Sequence, residues 1–197
     1  MRAVGPIPML GAMTRYLLAP LLLFSYGAVR LLDGVDGSHG PGPAWTVGHV
    51  LFLGALVTFG LVAVDLRRHG PAVPAWLALA GTFAGLAAFV HVVVVDLLVG
   101  FGAADRAEMN DRYADYETPL DPLAPLFPIG LTVLLLLFAI AHRRAYWSPI
   151  LALLAFLTIT ADLDLLPIAA LLLFGAVLPA ARSGEPRRRP VGAAEAG

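Results

Sequence analysis

The stretch from Ala72 to Phe101 reads AVPAWLALAGTFAGLAAFVHVVVVDLLVGF, an apolar run whose only ionisable residues are His91 and Asp96. As a helix rising ~1.5 Å per residue it outreaches a hydrocarbon core of about 30 Å. Its two ionisable side chains fall in the second half, where burial without partners costs several kcal/mol. The run therefore demands a membrane-crossing helix whose neighbours supply those partners.

The rest of the chain agrees with that class. Of 197 residues, 59% are hydrophobic and 14% charged, and mean hydropathy is +0.81. Soluble domains carry about 25% charged residues, so water is an unsuitable solvent for this surface. Cysteine is absent, which excludes disulfides, thiolate nucleophiles and Cys-ligated metal. Lysine is absent too, and every base is Arg.

Taken in order, residues 1–15 form a short cytoplasmic lead and residues 16–181 a transmembrane domain. Residues 182–197 form a polar tail rich in Pro and Gly, expected to be disordered. The first apolar run, Tyr16 to Leu32, holds Pro20 and Arg30. Arg2 and Arg15 suit a signal peptide, but Tyr26-Gly27-Ala28 lacks a small-x-small cleavage site, so a retained span is expected. Asp33 to Pro43 is turn chemistry. The second span is Trp45 to Val64, and the third ends near Gly100.

Between Ala103 and Pro122 lie six acids. Met109, Tyr113, Tyr116 and Leu120 recur there at i, i+4, i+7 and i+11, which predicts a short amphipathic helix on the membrane surface. Asp121-Pro122 reads as N-cap and first-turn proline of the fourth span, Leu123 to Ala141. Trp147 to Ala161 and Leu165 to Leu178 are shorter runs split by Asp162-Leu163-Asp164. They are expected as a hairpin of two spans with Asp164 and Pro167 starting the second; one broken helix or a re-entrant pair is the alternative.

Arginine placement sets the topology. With the N-terminus inside and six alternating spans, ten of the 13 bases fall on cytoplasmic segments. The outer side receives only Arg30, Arg106 and Arg112, as the positive-inside rule requires. A five-span arrangement would put Arg187, Arg188 and Arg189 outside. The two halves show no sequence repeat, so an inverted-repeat transporter gains no support.

On this topology Tyr26, Arg30, His49, His91 and Asp96 share one slab in the outer half of the membrane. At 100° per residue, His91 lies on a stripe with Ala80, Ala84, Ala88 and Val95. Asp96 is ~140° away from it, so the two form no dyad and each needs a partner on another helix. The small stripe beside Gly81-xxx-Gly85 predicts close helix packing. By reach, Asp96 with Arg30 is the first expected pairing and His49 with His91 the second.

The plain reading of Asp96 with Arg30 is a structural ion pair, favoured over a proton or substrate site because both residues lie near water. For His49 and His91 the sharp reading is a pair of metal or haem ligands. The plain one is two neutral rings hydrogen-bonded to carbonyls or hydroxyls, and it is favoured. Asp33, Asp36 and His39 are a cation candidate in what is more simply a solvated turn. Arg187–Arg189 suit anionic lipid at about 1 kcal/mol each, though topology alone accounts for them. No P-loop, dinucleotide fingerprint, GxSxG motif or nucleic-acid-binding pattern occurs.

A span opening Trp45-x-x-Gly48-His49 and closing Asp65-Leu66-Arg67-Arg68 resembles the small six-span integral membrane proteins of actinobacteria. So do the Ala/Gly-rich third span ending in Asp96 and the acidic, Met-containing loop after it. The resemblance implies an integral membrane protein and, since that group has no established activity, carries over no catalytic residue. The sequence thus leads to an all-α bundle of six transmembrane helices in the plasma membrane, multi-pass, both termini cytoplasmic. The leading expectation is a non-enzymatic role (structural, accessory or small permease-like) without cofactor or nucleic acid. Membrane lipids are the expected partners, with a second copy or another membrane protein left open. The alternatives are a metal or haem protein using His49 and His91, and an enzyme on a lipid or isoprenoid using Asp96 or His91.

Overall fold

The computed structural model describes residues 9–36, 40–143 and 145–183, and side chains from Met13 onward. His39, Arg144, the Asp36 side chain and the Arg187–Arg189 cluster lie outside the described residues. Among the described residues seven α-helices follow one another: α1 Met9–Asp33, α2 Pro43–Leu66, α3 Ala72–Gly102, α4 Arg106–Tyr113, α5 Leu126–His142, α6 Trp147–Ala161 and α7 Leu166–Ser183. Short 3-10 turns join several of them, and no strand occurs among the described residues.

Among the described residues five segments are long and apolar enough to cross a membrane: Met13–Asp33, Pro43–His69, Ala72–Gly102, Asp121–His142 and Leu163–Ser183. The sixth apolar helix, α6, has 15 residues. At ~1.5 Å per residue it rises roughly 22 Å, short of a full hydrocarbon core. Proline and glycine set the boundaries. Pro43 opens the first turn of α2, where its missing N–H costs nothing, and Pro71 precedes α3.

Two expected starts are corrected. Asp121-Pro122 opens a 3-10 turn, Asp121–Leu123, and α5 begins only at Leu126, after Pro125. Pro125 denies that turn a continuous ladder of backbone donors. Likewise Asp162, not Asp164, caps the last connection, accepting the Asp164 backbone N–H at 2.9 Å. The amphipathic helix is also shorter than its apolar period. α4 stops at Tyr113, so Tyr116 lies beyond it in irregular backbone and Leu120 in a turn.

Six of the helices close a ring in which α1 packs on α2 and α7, α2 on α3, α3 on α5, α5 on α6 and α6 on α7. Inside it, the Phe127 ring meets Phe59, Phe89 and Phe156 edge-on at 5.8, 5.9 and 5.5 Å. Outside, Leu21, Val57, Leu77, Ile129, Leu157 and Leu171 are each more than half exposed. A surface as apolar as its core is solvated by lipid chains, not water.

The α3–α5 contact is the tightest. A Cβ on Gly85 would overlap the Phe127 backbone nitrogen and lie 2.7 Å from its Cα. A Cβ on Gly130 would overlap Thr82 Oγ1 and lie 2.5 Å from the Ala78 carbonyl oxygen. Small residues let two backbones approach where lipid offers no hydrophobic drive to association. Thr82 meanwhile donates to Ala78 O at 2.8 Å, which keeps its buried hydroxyl satisfied.

Candidate functional site

The ring has two polar ends. At one, Arg15 Nη2 meets Asp65 Oδ2 at 3.1 Å, and Arg68 Nη1 lies 3.7 Å from Asp65 Oδ1. The Arg67 guanidinium sits 4.2 Å over the Trp76 ring, and the His69 and His142 rings are 4.9 Å apart. At the other end stand the residues singled out from sequence.

Here α2 begins, α3 ends, and α4 folds over both. Asp105 is the N-cap of α4, its Oδ1 accepting the Glu108 N–H at 2.9 Å. Glu108 reaches back to the Ala104 N–H at 2.8 Å, so two otherwise orphaned backbone donors are satisfied reciprocally. Arg112 grips Glu108 from the next turn at 2.7 Å. The Ala104 N–H, then Arg112, hold the Glu108 carboxyl below its usual range. A depressed carboxylate stabilises the fold above its unfolded pKa and loses that contribution as pH falls through the folded value. α4 is therefore expected to fray on acidification below about pH 4.5, read as faster amide exchange over residues 106–113. Glu108→Gln should remove most of that acid step.

The buried face of α4 is Met109, packed with Val95, Val99, Trp45 and Tyr113. This contact delivers the Tyr113 hydroxyl to Asp96 Oδ1, to which it donates at 2.6 Å. Burial first, and the bond to Asp96 second, push the phenol well above its ordinary range. The other carboxylate oxygen, Oδ2, lies 3.2 Å from His49 Nε2. The opposite ring nitrogen, Nδ1, lies 2.8 Å from the Trp45 carbonyl oxygen one turn back. Trp45 completes the group. Its indole lies 4.1 Å from the His49 ring and donates Nε1–H to the Asp96 backbone carbonyl at 3.1 Å. Gly100 leaves the indole its space, since a Cβ there would come 2.5 Å from Nε1.

Both expected pairings are replaced. Asp96 faces His49 and Tyr113, whereas Arg30 Nε bonds Asp164 Oδ1 at 3.3 Å. His49, buried at 5% exposure, gives Nε2 to Asp96 rather than to His91. Tyr26 does join the group, edge-on to His49 at 5.8 Å and stacked on Phe52 at 4.8 Å. His91 stands apart, its buried Nδ1 without a hydrogen-bond partner among the described residues. The helical period explains the separation, because the face that carries Asp96 to α2 turns His91 away. Sequence reasoning missed Tyr113, Trp45 and Asp164 as partners. The one available signal was Met109 and Tyr113 at i, i+4 after an N-cap Asp105, which puts the tyrosine on the docking face of α4.

Beside the cluster opens a shallow cleft, roomy enough for about one water molecule, lined by Tyr26, Arg30, Asp33, Ala44, Trp45, Gly48 and His49. Neither Asp96 nor His91 lines it. No three His, Asp or Glu side chains among the described residues converge as metal ligands. The Arg30–Asp164 pair at its edge is half open to solvent, and such pairs contribute about 0–1 kcal/mol. Arg30 also hydrogen-bonds Tyr26, and Arg30→Ala is expected to lower thermal stability by about 1 kcal/mol through the two contacts together.

No protein-family model, curated protein or solved structure matches this chain.

Proposed function

We propose that the chain is a six-span protein of the plasma membrane with both termini cytoplasmic, and that its role is non-enzymatic: structural, accessory or small and permease-like. In this reading α6 is the sixth crossing, shortened but paired with α7, and α4 lies on the outer surface. The His49–Asp96–Tyr113 cluster is a clamp that ties α2, α3 and α4 together at that face.

The observation that carries the reading is closure of the cluster. Both oxygens of Asp96 and both ring nitrogens of His49 are engaged by protein groups, and Asp96 is withdrawn from the cleft. A general acid or base must reach the proton it moves on a substrate, and this carboxylate spends its two oxygens on Tyr113 and His49.

A second reading, a metal or haem on His49 and His91, draws on the orphaned Nδ1 of His91. It requires Asp96 to release His49. Absorption spectroscopy and metal analysis of protein purified from its membrane separate the two. The clamp reading expects no Soret band and only substoichiometric metal. A Soret band or stoichiometric metal that His91→Ala abolishes would overturn it in favour of the second.

A further inference from the structure

Hydrogen-bond arithmetic at the clamp does not balance without an added proton. The Trp45 carbonyl oxygen can only accept, so the hydrogen of a neutral His49 ring is spent at Nδ1, 2.8 Å away. That leaves a lone pair on Nε2 facing Asp96 Oδ2 at 3.2 Å. Asp96 Oδ1 already accepts the Tyr113 hydroxyl. With neutral His49, ionised Asp96 and intact Tyr113, two acceptors would face each other and repel.

We propose that the His49–Asp96 pair is a proton-binding site: one proton, taken from water at this face, lies between Nε2 and Oδ2 and holds α4 docked. The inference rests on the clamp reading and adds its ligand. The bond formed is Nε2–H, or Oδ2–H in the tautomeric form, and loss of the proton returns it to solvent. With it, the His49–Asp96–Tyr113 group is neutral overall. Without it, the group carries a negative charge at the edge of the hydrocarbon, which that surrounding disfavours.

The other charged and titratable groups facing the pair leave it as the proton's seat. From α1, Tyr26 presents its ring edge at 5.8 Å, and Arg30 and Asp33 share the cleft beside His49. Arg30 is tied to Asp164 before α7 and hydrogen-bonds Tyr26. On α4, Arg112 is held by Glu108, and the field of Arg106 reaches Tyr113. The cleft, lined by His49 itself, is the route by which solvent exchanges the proton.

The test uses the full chain in lipid, with ¹⁵N-labelled histidine and a Trp76→Phe/Trp147→Phe background so that Trp45 alone fluoresces. His49 ring ¹⁵N shifts, the carboxylic infrared band, Trp45 emission and amide exchange of α4 are followed as pH rises. The proposal expects Nε2–H or a protonated Asp96 at neutral pH. It expects one deprotonation, with a change in Trp45 emission and α4 exchange faster by about tenfold. Asp96→Asn brings its own N–H to Nε2 and keeps an oxygen for Tyr113, so it should keep α4 protected and abolish the pH response. An ionised Asp96 against an unprotonated Nε2 in the docked wild type would overturn the proposal, as would a wild-type pH response in Asp96→Asn. The clamp reading fails separately, if Asp96→Ala leaves α4 exchange at the wild-type rate.

Discussion

Gly85→Leu should abolish the folded, monodisperse bundle, and Gly85→Ala should already lower its yield and thermal stability. The added Cβ would sit within 2.7 Å of both Cα and Cβ of Phe127. The obstacle includes backbone, so no side-chain rotamer relieves it. Overpacking a well-packed core costs typically 1–3 kcal/mol and sometimes more, and here α3 must move off α5. Such movement also parts the rings that Phe127 gathers from α2, α3 and α6. Gly81, one turn earlier on the same helix, is the control. A Cβ there finds nothing nearer than the Leu126 carbonyl oxygen at 3.9 Å, so Gly81→Ala should be tolerated or mildly stabilising through helix propensity. Size-exclusion profiles and melting curves of the three variants check this. Equal behaviour of Gly81→Ala and Gly85→Ala would contradict the close α3–α5 approach.

The second large effect is expected at Asp96. Asp96→Ala leaves His49 Nε2 and the Tyr113 hydroxyl without their carboxylate, and each stranded polar group costs about 1–3 kcal/mol. Tyr113→Phe removes one bond and strands only one oxygen of a carboxylate still paired with His49, so it should cost about 1 kcal/mol. The order of destabilisation is therefore Asp96→Ala first, then Tyr113→Phe and Arg30→Ala, smaller and similar. The first two should also speed exchange of the α4 amides, and the third should not. Denaturant melts in one detergent give the order directly, and Arg30→Ala ranking above Asp96→Ala would restore the pairing expected from sequence.

Helical class and apolar segments were legible in the sequence because both follow from hydropathy over long windows. Who faces whom was not. The spans are apolar around their full circumference, so no stripe marks which side meets which neighbour. The small residues of α3 show the limit. Gly81 and Gly85 look alike in sequence, yet only at Gly85 does a facing backbone leave no room for a Cβ. At the site, the shared depth read from the spans placed Tyr26, Arg30, His49 and Asp96 at one end of the bundle. Charge then favoured Arg30 as the partner of Asp96. The ring order overrides that preference, since α1 packs beside α7 and α2 beside α3. Arg30 accordingly meets Asp164, 134 positions away, and His49 meets Asp96. Tyr113 was legible only as an apolar-face residue, because its hydroxyl matters once Met109 has docked α4. Asp121-Pro122 has the composition of a helix start but stops in a single turn, because Pro125 follows.

The central claim is that the clamp stands on the outer face of the plasma membrane, with the Arg15–Asp65–Arg68 end inside. The chain has no cysteine, so single introduced cysteines report sidedness without background. Asp111→Cys on exposed α4 and Arg68→Cys at the opposite end are each treated with a membrane-impermeant maleimide on intact cells. Labelling of position 111 in intact cells, with position 68 labelled only after lysis, is the expected result. Labelling of 68 from outside, with 111 protected, would contradict it.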